Sequence, residues 1–161
     1  MLPIRTVLHA TDFSDSARPA FELACALARD YRAALVVVHV VPPSRAFAPD
    51  GIAMPFPVEE PYEAHVRLAR LQPADPSVQT EHRVLEGDPA EQILRIAQDA
   101  NADVIVMGTH GTSGLTRLLV GSVAESVMRQ APCPVLTVRF PFRLAPDHAP
   151  IDDRRVGQQD S

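Results

Sequence analysis

From Met107 to Ser122 the chain reads Met107-Gly108-Thr109-His110-Gly111-Thr112-Ser113-Gly114-Leu115-Thr116-Arg117-Leu118-Leu119-Val120-Gly121-Ser122. These residue types suit the binding of an anion. Glycine lets the backbone take conformations closed to other residues and lets a ligand approach the main chain closely. Where Gly121-Ser122 opens a helix, unpaired amides and about half a positive charge face outward. All 15 basic residues are arginine and none is lysine, so a phosphate site here must use backbone amides, hydroxyls or arginine. This stretch offers the first two. The same residues would also make a surface turn followed by a helix that Ser122 and Glu125 cap whether or not anything binds.

Two common phosphate-binding patterns are excluded. No G-x-x-x-x-G-K-[ST] loop is present, and the glycines follow a fourth strand with a spacing unlike the dinucleotide-binding G-x-G-x-x-G. A second chemical feature is Ala10-Thr11-Asp12-Phe13-Ser14, which places a carboxylate just past an apolar run. Asp12 there could bind a ribose hydroxyl or an adenine edge, could cap the helix that follows, or could do part of both.

His110 lies inside the glycine-rich stretch, where its backbone or its ring could meet a phosphate. His9 and His39 fall within apolar runs and are expected to be buried structural residues. His65, His82 and His148 are scattered, and no H-x-x-x-H pair occurs, so no metal site is expected. Cys25 and Cys133 stand far apart outside any C-x-x-C pair and are expected to pack as small apolar residues.

The elements that must position these residues are legible as a pattern. Thr6–Ala10, Ala34–Val41, Val104–Met107 and Val135–Val138 are short, valine-rich and nearly continuous in apolar character, as strands buried on both faces of a parallel sheet are. Val78–Leu85 alternates and is expected nearer an edge. Between them, Ala20, Leu23, Ala24, Leu27, Ala28 and Tyr31 form one helical stripe, with Ser14, Asp15 and Ser16 as caps and Pro19 in the first turn. Asp88-Pro89-Ala90-Glu91 predicts a capped helix start with Glu91 reaching back, and Ser122-Val123-Ala124-Glu125 predicts another. Pro132 should stop the latter helix.

The proline-rich segment 42–61 reads as a surface loop, followed by a short helix over about Tyr62–Leu71. Residues from about Phe140 to Ser161 lose periodicity and read as a disordered tail.

The order β-α-β-α-β-α-β-α-β implies a parallel sheet with helices on both faces. With strand order 3-2-1-4-5, the loops after strands 1 and 4 flank the switch-point crevice where such sheets bind ligands. Those loops carry Asp12 and the glycines.

At 161 residues the chain fits one domain. Its net charge of −5 argues against nucleic acid as a partner. No apolar run approaches the roughly 20 residues that span a bilayer. The N-terminus lacks the features of a signal peptide, so a cytoplasmic location is expected.

The spacing Gly108-x-x-Gly111, nine residues, then Gly121-Ser122 resembles the G-x2-G-x9-G-[ST] signature of nucleotide-binding universal stress proteins. Ala10-Thr11-Asp12-Phe13-Ser14, Gly87-Asp88-Pro89-Ala90 and Ala131-Pro132-Cys133-Pro134-Val135-Leu136 extend the resemblance, in order, over about residues 4–139. It implies a universal stress protein domain over 1–140, a Rossmann-like α/β fold with an open five-stranded parallel sheet of order 3-2-1-4-5, and a stress-response role as a sensor or regulator that binds ATP or AMP.

The implied contacts begin with Ala10, Thr11, Asp12 and Val41 around the adenine and ribose. Met107 and Gly108 would lie along the ribose, and His110, Gly111, Gly121, Ser122 and Val123 would lie at the phosphates, which could carry Mg2+. Glu125, one turn inside the helix, would turn towards the cap rather than oppose a phosphate.

Homodimers of this family join at strand 5, which makes Val135, Leu136, Thr137 and Val138 the expected interface; a simple blunted edge is the other reading. Slow ATP hydrolysis or autophosphorylation at Thr109, Thr112, Ser113 or Ser122 stays open, as does an interaction module without ligand. No activating base or pair of acidic metal ligands accompanies the loop, which favours a binder over an enzyme.

Overall fold

The computed structural model describes residues 3–42, 61–109 and 121–139. Nine elements follow one another: β1 (Thr6–Ala10), α1 (Ala17–Tyr31), β2 (Ala34–Val41), α2 (Pro61–Ala69), β3 (Thr80–Glu86), α3 (Pro89–Asp99), β4 (Val104–Gly108), α4 (Ser122–Gln130) and β5 (Val135–Val138). They form one five-stranded sheet of order β3-β2-β1-β4-β5 in which every neighbouring pair is parallel. The expected class and strand order are those observed.

The valine runs form the middle of this sheet because both of its faces are covered. On one face Val7, Leu35, Val37, Val104 and Val106 pack beneath Ala20, Phe21, Ala24 and Ala28 of α1 and Leu68 of α2. On the other, Leu8, Val36, Val38, Ile105 and Met107 pack against Ile93, Ile96 and Ala97 of α3 and Ala124 and Val127 of α4. Alternate residues of each strand thus serve opposite layers. The alanine stripe of α1 lets that helix lie close to the sheet.

β3 and β5 are the edges, and their side chains are mostly half-buried or exposed. Cys25 and Cys133 are both free and partly buried against the core, as expected.

The helix starts differ from expectation in detail. Asp88 caps α3, its side chain accepting the Glu91 amide at 3.0 Å with Pro89 in the first turn. The cap of α4 is Gly121, not Ser122, which is the helix's first residue. Glu125 therefore cannot close a capping box with Ser122, and its carboxylate instead meets Arg129 one turn on, at 2.7 Å. Ser16 caps α1 without a side-chain cap bond. Its hydroxyl instead pairs with that of Ser14 at 3.1 Å. Helix α2 begins at Pro61, inside the segment expected to be loop, and ends at Ala69. The strand expected over Val78–Leu85 is shifted to Thr80–Glu86. Residues 43–60 and the tail from 140 lie outside the described residues, as do His110, Gly111 and His148.

Candidate functional site

The sheet order puts the carboxyl ends of β1 and β4 side by side, with Ala10 opposite Met107. From there the chain departs in opposite directions. After β1 it enters α1 on one face, and β4 leads towards α4 on the other. Strand pairs that diverge in this way leave a crevice at their carboxyl ends. Ala10, Thr11, Asp12, Met107 and Gly108 are brought to it by strand pairing alone.

The turn after β1 is tightly specified. The Thr11 amide extends the ladder by donating to the Val38 carbonyl at 2.9 Å. The Phe13 amide then donates to the Thr11 hydroxyl at 3.1 Å, and the Ser14 amide to the Asp12 carboxylate at 3.0 Å. Asp12 thus builds a local turn ahead of α1 rather than capping the helix, whose cap is Ser16. Phe13 sits at φ 61°, a left-handed conformation that costs a non-glycine residue about 1–2 kcal/mol.

β2 supplies a side wall. Ala10 pairs with Val38, so His39, Val40 and Val41 continue past the end of β1. His39 is buried and its Nδ1 donates to the Thr11 carbonyl at 2.8 Å. A carbonyl only accepts, so this nitrogen carries the proton. The His39 ring also lies 4.4 Å, centroid to centroid, from that of Phe13. The guanidinium carbon of Arg67 in α2 lies 4.1 Å from the other ring's centre, that of Phe13. Val41, a residue implicated by the family resemblance, is buried and accepts the Gly87 amide through its carbonyl at 3.0 Å.

On the β4 side, Gly108 is pressed against α1. A β-carbon there would lie 3.0 Å from both the carbonyl oxygen and the hydroxyl of Ser16. Beyond it, the Thr109 amide donates to Val138 and the Thr109 carbonyl accepts from the Gly121 amide at 2.7 Å. The Gly121 amide, expected among the phosphate donors, is therefore engaged within the chain. The first intrahelical bond of α4 is Glu125 to Gly121. Ser122, Val123 and Ala124 precede it, so helix geometry gives their amides no intrahelical acceptor. Ser122 is exposed and Val123 packs partly on the core.

Beneath the crevice, His9 is fully buried, with its Nδ1 donating to the Val106 carbonyl at 3.0 Å and its ring 5.5 Å from that of Phe21. Its Nε2 has no hydrogen-bond partner among the described residues. Burial pushes its pKa down to about 4, a pull that the Val106 bond and nearby Asp12 only partly oppose. His9 is neutral structure, not a phosphate ligand. Among the described residues no group of His, Cys, Asp and Glu side chains is placed to hold a metal ion, and no helix is long and apolar enough to cross a membrane.

The fold that forms this crevice recurs in known proteins. The model of the universal stress protein family (Usp) matches residues 3–139. The chain belongs to the universal stress protein family. Among relatives, a universal stress protein of Thermus aquaticus is 39% identical over 140 residues, covering 84% of this chain and 98% of the relative. Universal stress protein MJ0531 of Methanocaldococcus jannaschii is 34% identical over 142 residues, covering 85% and 83%. Among solved structures, that of MJ0577 superposes with a TM-score of 0.73 at 26% identity, covering 86% of this chain and 97% of that one. A universal stress protein crystallised in complex with cAMP superposes with a TM-score of 0.63 at 28% identity, covering 85% and 98%.

As a universal stress protein this chain carries three residues in contact around the turn after β1 that sequence reasoning did not assign to the site: Phe13, His39 and Arg67. His39 was legible as buried, and Phe13 as part of the family's turn. Nothing in the sequence joins them to Arg67, because the three meet only through the packing of β2 and α2.

Proposed function

We propose that this universal stress protein binds an adenine nucleotide in the crevice between β1 and β4 and acts as a sensor or regulator of nucleotide state. The observation that carries the reading is that the Thr11–Asp12 turn follows β1 while the start of α4 is tied to the end of its neighbour β4 by the Gly121–Thr109 bond. The first can meet the hydroxyls and polar edge of a nucleoside. The second offers amides and the positive end of a helix dipole to phosphate.

Ala10, Thr11, Asp12 and Val41 are assigned to the nucleoside, Met107 and Gly108 to the ribose, and Ser122 and Val123 to the phosphates. Gly121 contributes its conformation, extended at φ −60° and ψ 150°, and would share its amide between Thr109 and a phosphate. Gly111 completes the set from the sequence signature, and His110 from its place inside the glycine-rich stretch. Either AMP or ATP suits this division, with Mg2+ held by the phosphates in the second case. A related protein whose structure contains cAMP supports an adenine nucleotide as the ligand class.

The same reading extends to a homodimer joined along β5. Val135–Val138 form the sheet's edge, and Leu136 is 40% exposed there. An apolar side chain beside unpaired strand groups favours pairing with a second copy.

The test is to purify the protein without added nucleotide, denature it and identify the released small molecules by mass spectrometry, with Gly121→Asp alongside. Aspartate is a good helix cap, so this variant should keep α4 while setting a negative charge against any phosphate. Near-stoichiometric AMP or ATP from the wild type alone is the expected result. A wild type that is empty and also ignores AMP and ATP in titration would overturn the reading.

A further inference from the structure

We propose that Arg67 of α2 is a positioning residue for the nucleotide site, holding the Thr11–Ser14 turn in place through the ring of Phe13. The inference rests on the nucleotide reading above and adds a residue from an element outside the crevice.

Phe13 is a bulky side chain at φ 61°. Such an outlier persists only where its surroundings over-determine it. Here the surroundings are explicit. His39 packs on the ring at 4.4 Å with the planes inclined at 42°. Arg67 stands 4.1 Å from the ring centroid. A guanidinium within about 6 Å of an aromatic centroid is attracted by the ring's negative face. The same turn is fastened through its backbone, by His39 to the Thr11 carbonyl and by the Thr11 hydroxyl to the Phe13 amide. Asp12 lies between these two fastenings.

Helix α2 is itself anchored, because Leu68, next to Arg67, is 1% exposed in the core. Arg67 therefore links a fixed helix to a strained turn. A change in the placement of α2 is felt at Asp12, and a ligand that orders the turn steadies α2 in return, since coupling between two sites is reciprocal.

The experiment is a double-mutant cycle read as affinity for AMP and for ATP, each titrated separately, with thermal midpoints confirming folded protein. Arg67→Met keeps the aliphatic stem and removes the charge. Phe13→Asn removes the ring while tolerating the left-handed backbone. Arg67→Met should weaken the tighter-binding nucleotide about fivefold, and Arg67→Lys, which keeps a cation over the ring, should restore most of it. In the Phe13→Asn background, Arg67→Met should have no further effect. Amide exchange at Phe13 and Ser14 in the ligand-free protein should quicken in Arg67→Met.

Unchanged affinity in Arg67→Met, or an equal loss in the Phe13→Asn background, would overturn the positioning role while leaving the nucleotide site intact. A wild type that binds neither nucleotide would overturn the proposed function and this role with it.

Discussion

Gly108 at the end of β4 lies directly against Ser16 at the start of α1, so close that an added β-carbon would stand 3.0 Å from the Ser16 carbonyl oxygen. The glycine is therefore required by its neighbour and not by its backbone angles. Gly108→Ala should push α1 away from β4 and destabilise the protein by about 1–3 kcal/mol. Because the displaced residues adjoin the Asp12 turn, nucleotide affinity should fall as well. Denaturant unfolding and nucleotide titration of the variant check both. Wild-type values in the two assays would mean that Ser16 yields without consequence.

His9 predicts an acid-sensitive core. Its pKa falls from 6.5 to about 4 on burial, so the unfolded chain takes up a proton that the folded one refuses between those values. Stability is unaffected above pH 6.5 and declines as pH falls through the window, by about 3 kcal/mol once pH 4 is reached. His9→Val should have a flatter profile over that range, whatever its stability at neutral pH. Urea midpoints measured from pH 7 to 4 would show it, and parallel profiles would locate the sensitivity elsewhere.

Asp103 works at the opposite end of the sheet. Its carboxylate accepts the Arg5 amide at 2.7 Å and the Thr6 amide at 2.9 Å, tying the entry of β1 to the entry of β4. These bonds, the first above all, hold its pKa below the ordinary 3.8. The stabilisation is thus complete above that value and lost as pH falls through the lower, folded one. Asp103→Ala should cost about 1 kcal/mol at neutral pH, and the deficit should vanish in strong acid. A deficit independent of pH would assign the loss to packing instead.

Asp88 supplies a control outside the proposed contact set. Its cap on the Glu91 amide should make Asp88→Ala about 1 kcal/mol less stable with unchanged nucleotide affinity. A large loss of affinity would show that the start of α3 acts on the site through Val41, whose carbonyl accepts the Gly87 amide.

Sequence pattern and structure agree where burial alone decides. The valine-rich runs of β1, β2 and β4 are inner strands, while the similar run of β5 is an edge; their alternation with apolar-striped helices left few topologies, so the order β3-β2-β1-β4-β5 was within reach. Local chemistry was less reliable by one residue. Ser122 and Glu125 stand at capping-box spacing, yet the helix begins one residue earlier, with Gly121 as cap, and Glu125 is left to pair with Arg129. Spacing fixes which residues lie three apart and leaves open where the first turn starts. Asp12 shows the same limit: a carboxylate before a helix can cap it or build a turn ahead of it, and here Phe13 in the left-handed region selects the turn. The Arg67 contact on Phe13 was beyond reach, since it depends on how α2 lies across β2 and β3.

Because β2 runs past the end of β1, the upper rim of the sheet is a step, and its two sides differ in kind. On the β2 side stand buried side chains, His39 on the ring of Phe13 and Val41 two residues on. On the β4 side stands main chain, with the amides that begin α4. Under the nucleotide reading proposed above, a guest with one flat, weakly polar end and one anionic end would lie across such a step in one direction only. The fold would then set the direction in which a molecule is read before any single contact sets how tightly.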